Sequence, residues 1–350
     1  VFPPNRLKGL GALLGHFSLT KSRRDASSTR PHHMNLRKCS CVCGVALFTL
    51  CAAFGSHDAP TPIVPHYHII RRLIVDSGYA DFLAVDEKNR RLYGAGDKVF
   101  DIDRYVAVGE LPPHAGHGFA ISPELEVGVA RRGVVFDLQS LKQLATLPVY
   151  GDAAAYDPSS KRGFFFGDSV TVVDLSSRTV AGYVSLPGKP EGAAADARGH
   201  VYVNIVTSDS MIVIDSKALR IVNRWSLSPC RSPVGLAIDA QHERLFASCS
   251  NGRIVVVNSR DGRVVASIPV PGTADSFAFD STIGVLFHPN GRGSLSIIVE
   301  DTPDRYHEVE RINTAESGPS LALDPVTHRV FLFHQGRPVP VLRVLVVGPT

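Results

Sequence analysis

One pattern recurs through the chain: a small or apolar stretch, usually an Asp, a polar turn, then a second apolar stretch. It appears as FLAVDEKNRRLYGAG from Phe82, AAAYDPSSKRGFFFG from Ala153, GLAIDAQHERLFASC from Gly235 and SLALDPVTHRVFLFH from Ser320, with further copies from Gly118, Gly192 and Ser276. The anchor positions are Asp86, Ser122, Asp157, Asp196, Asp239, Asp280 and Asp324, spaced 35 to 44 residues apart. A unit of this length cannot bury its apolar faces alone and must stack on copies of itself. Each unit continues with two more runs rich in Val and Ile, such as SVTVVDLSS and RTVAGYVSLP, which read as strands joined by tight polar turns. Four strands per unit and seven units give an all-β, seven-bladed β-propeller over about residues 66–350.

The last unit ends after its third strand, PVLRVLVVG, while HIIRRLIVD at residues 68–76 precedes the first unit and has no blade of its own. The expected solution is closure of the last blade by this early strand, pairing the two ends of the domain. A closed ring leaves few free strand edges, so a monomer is expected. Composition agrees, because 30 Gly and 24 Pro in 350 residues favour frequent turns over long helices.

The formal charge of +4 divides unevenly. Residues 1–38 hold eight Lys or Arg against one acid, leaving 29 basic and 32 acidic residues beyond them. The domain itself is slightly acidic, which argues against nucleic acid as a partner. Met34, the charged pair Arg37 and Lys38, an apolar run from Val42 to Phe54 and small residues at Ala53 and Gly55 together read as a signal peptide over 34–55. Residues 1–33 are then an upstream segment preceding the native start, and the apolar run is too short to span a bilayer comfortably. The expected location is extracytoplasmic, periplasmic or secreted.

Blade cores such as TVVDLSSRTVAGYVSLPGKPEG, GHVYVNI, SPVGLAIDAQHERLFASC, ALDPVTHRVFLF and the terminal LRVLVVG resemble those of the YVTN-type, or YncE-like, seven-bladed propellers of bacterial cell envelopes. The resemblance covers roughly residues 66–348 and implies an exported protein with no common established reaction.

Outside the leader the only cysteines are Cys230 and Cys249. Blade topology puts both at one rim of the fifth blade, the first just before an inner strand and the second at the end of the returning strand. In an oxidising compartment this predicts a structural disulfide.

Five places before each anchor lie Asp81, His117, Asp152, Glu191, Val234, Asp275 and Pro319. Inner strands converge on the propeller axis, so Asp81, His117, Asp152, Glu191 and Asp275 are expected to gather at the channel mouth as a ligand-binding ring. Crowded carboxylates repel and raise one another's pKa unless a cation, water or a basic ligand intervenes. Asp152, Glu191 and Asp275 are the candidate metal ligands, for a divalent cation such as Ca²⁺. Asn204, Asn251, Asn290, His288 and His334 are expected on loops of the same face, and the anchor aspartates are expected as turn formers at the opposite face. Signatures of common hydrolases, nucleotide binders and zinc proteases are absent from the sequence. The leading expectation is a non-catalytic propeller that binds an envelope partner or small ligand at the channel mouth. The alternative is a metal-assisted hydrolase or lyase resembling propeller lactonases, using the same ring with His117 as acid or base.

Overall fold

A computed structural model describes residues 65–75, 82–115, 118–314, 318, 320–335 and 342–350. The proposed upstream segment and signal peptide lie outside these residues. The described residues form seven four-stranded antiparallel sheets. Six are consecutive meanders: blade 1 (84–110), blade 2 (119–146), blade 3 (153–184), blade 4 (190–226), blade 5 (233–269) and blade 6 (278–313). Blade 7 combines Leu321–Asp324, Arg329–Gln335 and Leu342–Pro349 with Tyr67–Val75 as its outer strand. That strand runs antiparallel to Leu342–Pro349, from Tyr67 opposite Pro349 to Val75 opposite Leu342, with a register shift between Ile69 and Arg71. The expected closure is therefore present, with the early strand one residue earlier than read from the sequence. The inner strand of each blade contacts those of both neighbours, and the first contacts the last, which completes the ring.

The second and third strands of the blades are mostly apolar and buried because both of their faces are covered. Successive side chains point to opposite faces of a strand. In blade 3, Phe164 and Phe166 therefore pack toward blade 4, while Phe165 packs toward blade 2. The buried apolar residues fall into seven clusters, each joining two neighbouring blades. Outer strands are instead largely exposed, and Arg305–Asn313 is half-buried at every second residue.

The anchor aspartates end the inner strands, as expected. Asp86, Asp157, Asp239, Asp280 and Asp324 are all buried, and each carboxylate accepts backbone N–H groups two or three residues ahead. A short polar side chain that satisfies its own turn makes the same reversal available in every blade. The turn after the third strand repeats the device at Asp101, Asp137, Asp174, Asp215 and Asn258. These two sets of turns occupy one face of the ring, and the channel mouth lies on the other.

Side chains on the turn face clasp adjoining blades. Arg90 of blade 1 donates two hydrogen bonds to Asp324 of blade 7, at 2.8 and 2.6 Å, and two more to Asp103. His328 of blade 7 pairs with Asp280 of blade 6 at 2.8 Å. Among the described residues no helix is long and apolar enough to cross a membrane.

Candidate functional site

Neighbouring inner strands approach one another closely around the axis, as Gly192 does Val234 and Gly235 does Ala274. A cavity of about 210 Å³ lies there, walled by Ala84, Gly118, Ala153, Gly192 and Asp275 among others. A Cβ on Gly192 would stand 2.5 Å from the Val234 carbonyl oxygen, so the approach of blades 4 and 5 requires glycine at this position.

The expected ring resolves into separate environments. Asp81 and His117 lie outside the described residues. Asp275 reaches the axial cavity. Asp152 does not; it lines a groove of about 510 Å³ between blades 3 and 4, together with Tyr150, Asp168, Leu186 and Lys189. Its carboxylate accepts from Arg131 Nη1 at 2.7 Å, and the Arg131 guanidinium also lies over the Tyr150 ring, 5.7 Å from its centroid. Glu191 borders neither cavity and accepts from Lys189 Nζ at 2.5 Å. That hydrogen bond holds the Lys189 pKa above its ordinary value. For Asp152 and Glu191, the cation expected to relieve crowding is thus the chain's own.

The three expected metal ligands are not brought together. Among the described residues, the one trio of His or acidic groups with ligand atoms all within 4.8 Å is Asp239, His242 and Glu300, and Asp152, Glu191 and Asp275 form no such group. The trio sits on the turn face. His242 Nδ1 is 2.7 Å from Asp239 Oδ2 and 3.1 Å from Glu300 Oε1, so one imidazole bridges carboxylates of blades 5 and 6. Burial raises the Glu300 pKa, although His242 pulls in the opposite direction. The sequence held half of this signal, a His three residues after an anchor Asp; Glu300 enters from the next blade and had no local mark.

Asn204 and His288 are not loop residues of the channel-mouth face. Both belong to second strands and are fully buried at blade seams. Asn204 donates from Nδ2 to the carbonyls of Val234 and Gly235 in the next blade. His288 Nε2 meets Ser248 Oγ at 2.9 Å, and burial depresses its pKa to about 3. Asn290 is also buried and accepts the Arg292 N–H within its own turn, whereas Asn251 is exposed and ties the turn to Arg231 and Pro229. The His334 side chain lies outside the described residues. Cys230 and Cys249 stand at one rim of blade 5 as expected, with Cα atoms 5.4 Å apart and both residues buried, a disulfide-capable pair.

No protein-family model and no curated protein matches the sequence. Among solved structures, the chain is similar to the WD40 repeats of RRP9, with a TM-score of 0.69 and 11% identity over 81% of this chain and all of that one. It is similar to U3-55K at a TM-score of 0.67 and 11% identity, covering 80% of this chain and 98% of that one. At this identity the likeness shows the fold alone: a seven-bladed β-propeller.

Proposed function

We propose that this chain is an extracytoplasmic, non-catalytic binding propeller, of the YncE-like kind that its blade cores resemble, and that it engages a partner protein or small ligand on its channel-mouth face. Propellers commonly serve as binding platforms, and a fold by itself names no activity, so the reading rests on the surface chemistry of this face. The observation that carries it is the Arg131–Tyr150–Asp152 cluster at the groove between blades 3 and 4. Tyr150 is 65% exposed although it is a large aromatic, and Arg131 is held beside it by the ion pair to Asp152. Tyr and Arg are the residue types that anchor interfaces, and pre-positioning them lowers the entropy cost of binding. The disulfide-capable pair supports the extracytoplasmic location, because such bridges persist in oxidising compartments.

The metal-assisted hydrolase or lyase reading needs Asp152, Glu191 and Asp275 on one ion, and their placement does not favour it. A photo-crosslinking residue at position 150 tests the binding reading in an extracytoplasmic fraction. A discrete adduct is expected there and not from the same probe at Lys217 on the turn face. Equal labelling from both positions, or adducts that survive Arg131→Ala and Asp152→Asn together, would contradict it.

A further inference from the structure

A repeated arginine contact crosses the seams of the turn face. The first residue of the second strand is Arg91 in blade 1, Arg162 in blade 3, Arg244 in blade 5 and Arg329 in blade 7. Each reaches the outer turn of the next blade. Arg162 Nη1 donates to the carbonyls of Ser216 and Lys217 at 2.7 and 2.8 Å. Arg91 Nη1 donates to those of Leu138 and Gln139, the equivalent turn residues. Arg244 Nε donates to the Pro303 carbonyl at 3.1 Å and to Asp304 at 2.8 Å, while Arg329 lies 5.7 Å over the Tyr105 ring. In blades 2 and 6 the position holds Val127 and Val285, each packed into the apolar cluster of its seam.

Blade 4 departs from both solutions. Its residue at this position is His200, which faces Asp215 in register as Arg162 faces Asp174. The preceding turn is one residue shorter, and His200 folds back so that Nδ1 lies 2.9 Å from Asp196 Oδ2. It does not cross to blade 5. A pocket of about 330 Å³ occupies the seam, with Ser259 and Arg260, the counterparts of Ser216 and Lys217, in its wall. The opposite wall contains Tyr202 and Trp225, stacked with centroids 6.0 Å apart. Gly262 makes room for the indole: a Cβ there would stand 2.1 Å from Trp225.

We infer that this seam between blades 4 and 5 is a receptor for the guanidinium group of an arginine side chain presented by a partner polypeptide. The slot keeps the architecture that the chain fills with its own arginines at neighbouring seams, and adds an aromatic wall of the kind that attracts a planar cation. The charged and titratable groups around it are Asp196, Glu243, Arg198, Arg260 and His200. Arg198 and Arg260 both pair with Glu243 at the rim. Asp196 stays ionised: burial opposes this, but the N–H groups of His200 and Arg198 and the His200 ring together hold its pKa below the usual range. Asp196 is thus an ionised carboxylate in the pocket lining, and the turn residues Ser259 and Arg260 of blade 5 stand in the same wall.

Trp225 is the sole tryptophan of the chain, so intrinsic emission reports on this pocket directly. Titration with N-acetyl-arginine amide is expected to give a saturable change in Trp225 emission. The citrulline analogue, which has the same shape without the charge, is expected to bind about tenfold or more weakly. His200→Arg should supply the missing side chain in cis, abolish the response and leave the thermal midpoint at or above that of the wild type. Failure to saturate, an equal response to citrulline, or full binding by a folded His200→Arg variant would overturn the inference. Tighter binding of free arginine than of the blocked form would overturn the assignment to a polypeptide.

Discussion

Replacing Arg90 by Met tests whether ring closure depends on a buried charge pair. The guanidinium makes four hydrogen bonds, two to Asp103 and two to Asp324. The Asp103 side chain is 48% exposed, so its share is about 0–1 kcal/mol. The Asp324 side chain is 1% exposed, and without Arg90 its carboxylate keeps the Thr327 hydroxyl at 2.5 Å and the Val326 backbone N–H at 3.3 Å. Removing one partner of such a pair costs about 3–5 kcal/mol, because a charge stays buried without compensation. With a urea slope of about 3 kcal/mol/M, the unfolding midpoint of Arg90→Met should fall by roughly 1–2 M. Asp103→Asn should cost less than about 1 kcal/mol. Adding Asp324→Asn to Arg90→Met should recover a large part of the loss, since the stranded charge is then gone. Arg90 and Thr327 hold the Asp324 pKa below the usual range even though burial pulls it up. The pair therefore stabilises the fold above the ordinary carboxylate pKa, and its contribution is lost as pH falls through the folded value. The Arg90→Met penalty should shrink in acid. A midpoint shift equivalent to less than about 1 kcal/mol, or strict additivity in the double variant, would refute the reasoning.

His288 is neutral when folded, with its pKa near 3, and regains an ordinary value near 6.5 when unfolded. Its contribution is complete above the unfolded value and falls by about 1.4 kcal/mol per pH unit below it, until the folded pKa is reached. Urea titrations across this range should show a shallower decline for His288→Gln than for the wild type; parallel curves would contradict the assignment. Replacing Cys230 and Cys249 with Ala should cost about 3 kcal/mol on the chain-entropy model, measured under oxidising conditions and abolished when both forms are kept reduced. Gly262→Ala places a Cβ 2.1 Å from Trp225 at a φ of +74°, so it should destabilise by about 1–3 kcal/mol and shift Trp225 emission. An unchanged spectrum would show that the close approach is relieved elsewhere.

The blade pattern was legible because every blade answers the same local demand. A strand covered on both faces must be apolar throughout, as in Phe164–Phe165–Phe166, and each reversal needs a side chain that satisfies its own turn, as Asp157 does. Such constraints act within a few residues and leave a mark at each repeat. Ring closure by the segment starting at Tyr67 was legible for the same reason, since a blade short of one strand and a strand without a blade are complementary. The proximity of Cys230 and Cys249 followed from topology within one blade.

The channel-mouth ring was legible only as a set of equivalent positions. Equal register does not impose equal direction: Asp152 swings to Arg131, Glu191 turns to Lys189, and Asp275 reaches the axis. The polar links across seams were not legible at all. Arg90 and Asp324 are 234 residues apart, and His328 and Asp280 are 48 apart. Whether two such groups meet is decided by the pitch between neighbouring blades and the reach of a side chain, to within an ångström. Local patterning along the polymer determined which strands exist, how they turn and how many blades close the ring. The packing of one blade on the next decided which charges pair, which histidine stays neutral and which arginine slot is left open, because those outcomes depend on distances that exist only once the ring is assembled.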